Sequence, residues 1–306
     1  MNFETLTQLT DHFSNEQVCR DHLAVLRWGK GGVPCCPFCG VVGAYSIEGG
    51  KRYKCKDKEC HKKFSVTVGT IFENTKLPLR VWFTAIYLAC NTSKGCSSVN
   101  LAKLTGTTQK TAWFVLCRIR EMLVDKAPAM LTGTVEIDET YIGGSEKNKH
   151  ADKRTPGTQG GAKKAPVLGI LQRDGRVVAT PVANSKKATI QPIMRKHVEI
   201  GSAINTDEHW GYKGLNKDFK HTSVNHASGQ YAKGTTHTNG IENFWSLFKR
   251  GLNGIYHQVS PKHLHRYCNE YAYRFNNRDL CQQEKFNVAV FQAEGRRLTY
   301  RTLIGK

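Results

Sequence analysis

Apolar residues recur at helical spacing over the first thirty positions. Phe3, Leu6 and Leu9 share one stripe and Val18, His22, Val25 and Leu26 another, which predicts one or two short helices. Gly31, Gly32 and Pro34 end that pattern, and the stretch up to about residue 70 carries cysteines instead of a periodic face. Periodicity returns over residues 77–92, entered through Pro78 in the first turn, where a missing N–H costs nothing. Residues 97–123 read as a helix pair turning at Gly106. From about residue 127 strands alternate with helices: a strand over 134–144, a hairpin over 167–182 with Asp174-Gly175 as a type I′ turn, a helix over 186–198 and a strand over 202–212. Residues 236–252 form an amphipathic helix. Its Ile241, Phe244, Trp245 and Phe248 face a sheet, while Glu242, Ser246 and Lys249 make a separate stripe. The pattern as a whole is that of an α+β multidomain chain: N-terminal helices and a cysteine-bearing segment, then a mixed sheet flanked by helices.

Charge narrows the partner. The 306 residues carry a formal net charge of +20, positive in both halves, which implies a polyanion, most commonly nucleic acid. Residues 145–165 concentrate Lys147, Lys149, Lys153, Arg154, Lys163 and Lys164 with Gly and Pro, the composition of a mobile basic loop. There is no signal-peptide pattern at the start and no apolar run long enough to span a bilayer, so a soluble, cytoplasmic, nucleoid-associated protein with no membrane partner is expected.

The 11 cysteines then suggest metal before disulfide. Cys36 and Cys39 form one close pair, and Cys55 and Cys60 a second. Two such pairs separated by a hairpin-length insert are what a tetrahedral Zn²⁺ site requires, with the metal substituting for a core too small to form. Cys35 competes with Cys36 for the ligand role, and His61 reads as solvated. Lys and Arg are dense between residues 51 and 63, interleaved with Tyr53 and followed by Phe64, which suits a ribbon lying on phosphates or one that binds protein. In the helix pair, Leu101 and Leu104 are expected to pack inward, with Trp113, Val115, Leu116 and Ile119 opposite them. Gln109, Lys110 and Thr111 would stand at the start of the second helix, where a helix-turn-helix reads base edges; an ordinary helical hairpin is the alternative.

Three acidic residues carry the candidate chemistry. Asp138 ends the strand segment 134–138 on the face opposite Val135 and Ile137, Asp207 ends the segment 203–207, and Glu242 rides on the amphipathic helix. Cutting a phosphodiester and rejoining a 3′-hydroxyl needs an activated oxygen and charge neutralised at phosphorus. Two Mg²⁺ (or Mn²⁺) held by carboxylates supply both. Lys249, two turns beyond Glu242, would hold a DNA phosphate. Glu139 and Glu208 point away from their aspartate neighbours and are second-choice ligands.

These residues carry a resemblance. Cys36 with Cys39, the segments 64–72, 111–113 and 118–120, then Asp138–Gly144, Thr206-Asp207, His237–Trp245 and Lys249-Arg250 together resemble the DDE transposases of the insertion sequence 1595 family. The resemblance implies a zinc ribbon within residues 1–70, a helix-turn-helix region over 71–128 and a ribonuclease H-like catalytic domain over 129–306. It implies Asp138, Asp207 and Glu242 as metal ligands and Lys249 as an accessory residue touching DNA, beside Arg250. The third ligand position in the family is sometimes Asn, and Asn239 and Asn243 lie close to Glu242; Glu242 is chosen because a carboxylate brings charge to the metal, and whether Asn239 assists it is left open. His237 either positions a scissile phosphate or caps the helix. The implied activity is metal-dependent cleavage at the terminal repeats of a bacterial insertion sequence, then strand transfer into target DNA, by a homodimer or higher assembly on double-stranded DNA. A domesticated DNA-binding regulator with a dead nuclease fold, or a DNA-junction nuclease, are the alternatives.

Overall fold

The computed structural model describes residues 3–144, 150, 152, 164–224 and 237–305. The basic loop expected at 145–165 lies almost wholly outside them. In chain order the elements are α1 (Leu6–His12), α2 (Glu16–Trp28), β1 (Ala44–Ile47), β2 (Arg52–Cys55), β3 (Lys63–Phe64), α3 (Leu79–Asn91), α4 (Ser98–Thr105) and α5 (Gln109–Met122). There follow β4 (Thr134–Ile142), β5 (Ala165–Gln172), β6 (Val177–Pro181), α6 (Lys187–His197), β7 (Ala203–Asp207), β8 (Lys220–Val224), α7 (Asn239–Gly251), α8 (Leu264–Asn276), α9 (Gln282–Phe291) and α10 (Tyr300–Ile304). They form two compact units, Met1–Lys126 with Asn277–Lys306, and Ala127–Asn276.

In the first unit β1, β2 and β3 make a small antiparallel sheet beside a helical core. That core is aromatic: Phe3, Phe13, Phe83 and Phe286 pack with ring centroids 4.8–5.7 Å apart, edge to face except for the tilted Phe13–Phe286 pair. Phe286 belongs to α9, so residues 277–306, grouped with the second half in the sequence reading, fold with the N-terminal helices. The buried face of α2 is Cys19, Leu23 and Ala24. The expected stripe is therefore rotated, and Val25 is exposed. Both helix starts of the α4–α5 pair are capped: Ser97 Oγ accepts from Asn100 N, Thr108 Oγ1 accepts from Thr111 N, and Gly106 turns between them at φ 64°. Leu101 is buried as expected, but Leu104 is 59% exposed, because an eight-residue helix shows only its inner stripe to the core.

The second unit is a five-stranded sheet in the order β6-β5-β4-β7-β8. The first three strands are antiparallel neighbours, and β4–β7 and β7–β8 run parallel. The mixed sheet is flanked by helices, the α+β, ribonuclease H-like arrangement expected. Val135, Ile137, Leu168 and Ile170 pack with Ile190 and Met194 of α6 on one face. On the other, Val167 and Leu171 pack with Ile241, Phe244, Trp245 and Phe248 of α7 and with α8. The hairpin between β5 and β6 turns differently from the expected type I′ form. Gly175 N donates to Gln172 O, and Asp174, at the third position, takes φ 56°, as in a type II turn.

Candidate active site and metal centre

Sulfur chemistry gathers in the first unit. The ligand atoms of Cys36, Cys39, Cys55 and Cys60 all lie within 4.8 Å of one another, with Sγ–Sγ separations of 3.8 Å for Cys36–Cys60 and 3.5 Å for Cys39–Cys55. A tetrahedron of thiolates about 2.3 Å from zinc has edges of roughly 3.8 Å, so the quartet fits Zn²⁺. Local geometry does the gathering: Gly40 N donates to Cys36 O, Gly40 itself takes φ 78°, and Asp57 N points at Cys55 Sγ. Buried Phe64 with Trp28 and Tyr53 completes a miniature core. Cys35 stands outside the quartet, its thiol donating to Gly40 O, and His61 is not part of it.

The acidic residues are placed by the sheet of the second unit. The β4–β7 ladder runs from Thr134↔Ala203 to Glu136↔Asn205 and stops. Asp138 and Asp207 each lie two residues beyond that last pair, so strand alternation sends both to the face on which α7 packs. Asp138 is not at a strand end, since β4 continues to Ile142 against β5, but it is at the end of the parallel ladder. Crevices beyond the carboxyl ends of parallel strands are where open sheets bind ligands.

Glycines let α7 come close. A Cβ on Gly169, the β5 partner of Asp138, would sit 2.4 Å from the Trp245 ring, and one on Gly240 would sit 2.8 Å from Glu136 Oε2. Glu136 is the residue the sequence reading missed. Only 1% exposed, it accepts from Ile241 N at 3.0 Å and from the Arg173 guanidinium at 2.9 Å, with His237 Nδ1 3.3 Å away. It ties the first turn of α7 to β4 and offers negative charge to the helix's positive end. The available signal was its place two residues before Asp138, on the same strand face. His237 is thereby engaged with Glu136, and its carbonyl accepts from Arg173 and Asn205.

Glu242, exposed in the first turn of α7, accepts from Thr238 Oγ1 at 2.9 Å. Asn239 is exposed at the start of the helix. Burial raises the Asp138 pKa to about 6, and the charges of Asp207 and Glu242 add to the rise, so the three acids share one electrostatic neighbourhood. The Trp245 indole nitrogen, buried without a hydrogen-bond partner, lies near enough to oppose the shift. Glu139 faces the other side, near buried Tyr212. Burial lifts its pKa to about 8, Asp207 and Asp138 add to this, and its Oε1 lacks a hydrogen-bond partner. Glu208 is exposed. Unlike the thiols, the three carboxylates do not all come within 4.8 Å of one another; among the described residues only the cysteine quartet gathers three or more such groups that closely. Oxygen-only donors are nevertheless the donor set a hard divalent cation wants.

The remaining candidates are surface groups. Lys249 and Arg250 are exposed on the last turns of α7. Gln109 and Lys110 are exposed at the start of α5. Gln109 donates to Ser98 Oγ, Lys110 lies 5.3 Å from the centroid of the Tyr300 ring, and Thr111 is half-buried in the cap. No helix of the described residues is long and apolar enough to cross a membrane.

Comparison with known proteins finds two matching domains. Residues 14–63 match the transposase zinc-ribbon domain and residues 130–276 the ISXO2-like transposase domain. The chain is 29% identical over 261 residues to an uncharacterized protein in transposable element ISH50 of Halobacterium salinarum, covering 79% of this chain and 84% of that one. It is 33% identical over 109 residues to an uncharacterized transposase-like protein of Haemophilus influenzae, covering 35% of this chain and 87% of that one. No solved structure gives a significant match. A zinc ribbon ahead of a mixed-sheet transposase domain defines the class as a DNA transposase. Within it, the chain belongs to the insertion sequence 1595 family.

Proposed function

We propose that this transposase cuts DNA at the ends of its own element and joins the freed 3′-hydroxyl to target DNA, using Asp138, Asp207 and Glu242 to hold two Mg²⁺ or Mn²⁺ ions. The observation that carries the reading is the matched position of Asp138 and Asp207 beyond the β4–β7 ladder, on the face covered by the helix that bears Glu242. Divalent cations at such a site would activate the attacking oxygen and neutralise charge on the leaving one. The chain's own part is positional. Glu136 anchors α7, and Thr238 holds the Glu242 carboxylate. In the first step water attacks phosphorus and the 3′-oxygen leaves with the bonding pair; in the second that oxygen attacks a target phosphodiester, whose own 3′-oxygen leaves.

The reader is the ribbon together with the α4–α5 pair, as separate DNA-binding parts. Gln109, Lys110 and Thr111 meet base edges, and Lys249 and Arg250 meet the backbone near the acids. Joining two ends calls for a dimer or higher assembly on DNA. The test is to incubate the full chain with DNA flanking its own gene and Mg²⁺, then map new 3′ ends and joined products. Ends at the element boundary that disappear with chelator are expected. Binding without nicking would leave a DNA-binding regulator in its place, and cutting confined to branched DNA a junction nuclease.

A further inference from the structure

Beyond the acids, at the far end of β4, a cleft of about 540 Å³ opens between Gly143, Lys164, Lys249, Asn253, His257 and Gln258. Among the described residues no Asp or Glu lines it. Gly143 and Lys164 are fitted to each other: a Cβ on Gly143 would lie 3.1 Å from Lys164 Cγ. Two rare backbone features present the opposite wall. α7 runs into a π-helical turn, Leu252–Tyr256, and His257 then takes φ 57°, ψ −52° while Gln258 N donates to Tyr256 O at 2.6 Å. That is the strained γ-turn, held because the Tyr256 ring packs on Tyr267 and its hydroxyl donates to Glu270.

We propose that this cleft is a second seat for the DNA backbone, in which Lys164 and His257, beside Lys249, grip a phosphodiester some distance along the strand from the one that reacts. The seven residues from Glu242 to Lys249 rise roughly 10 Å along α7, and the four from Asp138 to Ile142 span roughly 13 Å of strand. At 3.4 Å of axial rise per nucleotide of one DNA strand, and more along the winding backbone itself, the seated phosphate is at most about four nucleotides from the cut. The imidazole of His257 donates a hydrogen bond whether neutral or charged, whereas Lys164 supplies charge. The seat rests on the strand-transfer reading only for that register.

The test measures binding of the full chain, in chelator, to duplex DNA from beside its gene across a salt series. Lys164→Ala lowers the slope of log affinity against log salt by about one, and Lys164→Arg restores it. His257→Ala weakens binding about tenfold at fixed salt. Lys196→Ala, an exposed lysine on α6, changes neither any more than one diffuse surface charge does. In a methylphosphonate scan, neutralising one phosphate within about four nucleotides of the mapped 3′ end weakens the wild type and has no further effect on Lys164→Ala. An unchanged slope in Lys164→Ala with a preserved thermal midpoint overturns the seat. A chain that never nicks DNA yet loses slope keeps the seat and discards strand transfer; one that cuts and joins with unchanged slope does the reverse.

Discussion

The four thiols and the three proposed carboxylate ligands differ in how they are brought together. The thiols converge through two tight turns and a hairpin, so chain connectivity alone puts their ligand atoms within 4.8 Å. The carboxylates come from two strands and a helix, stand further apart, and repel: the neighbours of Asp138 help drive its pKa to about 6. A soft structural site is built closed, with the metal as part of its core. The proposed hard site is held open by the packing around it, with its acids spaced apart instead of collapsed together.

Removing a thiol should break the first region most severely. Cys55→Ser is expected to take zinc from about one per chain to none and to unfold the ribbon, since structural zinc contributes about 10 kcal/mol or more to such sites; elemental analysis with near-ultraviolet circular dichroism reads both. Removing a carboxylate should leave the fold but silence the chemistry. Asp138→Asn and Glu242→Gln are each expected to lower strand transfer by about a thousandfold or more while element-end binding stays within about twofold. Wild-type joining by either variant would remove it from the site.

Glu136→Ala sharpens the contrast from the packing side. Losing a buried ion pair and the anchor of α7 should cost about 3 kcal/mol in chemical denaturation, with activity lost alongside. Smallest is the pH effect without metal. Asp138 and Glu139 have folded pKa values of about 6 and about 8, raised from 3.8 and 4.5. Between the ordinary and the raised values the folded chain binds more protons than the unfolded one, so stability falls as pH rises from about 4 to about 8. The Asp138 part, about 1–2 kcal/mol after screening, should flatten in Asp138→Asn and shrink when Mg²⁺ is added, as followed by calorimetry.

The same contrast explains what could be read in advance. Cysteine spacing is local, so the quartet was legible down to the residue, and Cys36, not Cys35, is the thiol that joins it. The acids were legible as residue types at strand and helix positions, but their shared neighbourhood is a tertiary fact that no spacing encodes. Glu136 went unnoticed because a buried acid inside a strand looks like any alternating polar residue until its partners, Arg173 from the hairpin and Ile241 N from α7, arrive from distant sequence. Short helices misled too. In α2 and α4 a few apolar positions fit more than one face, and tertiary packing chose Cys19 over Val25 and left Leu104 in solvent. The membership of α9 in the N-terminal unit had no local sign, because its contacts, Phe286 among the aromatics and Asn287 with His22, are to residues some two hundred positions or more away.

The abrupt stop of the β4–β7 ladder makes hydrogen-bond register a ruler for the chemistry. Because both aspartates are counted from one paired rung, sliding either strand by a single residue would turn its carboxylate through the sheet to the opposite side while leaving composition, charge and most of the core untouched. Single-residue deletions within β7 should therefore be far more damaging than most substitutions there, and second-site insertions in the same strand that restore the count should rescue them.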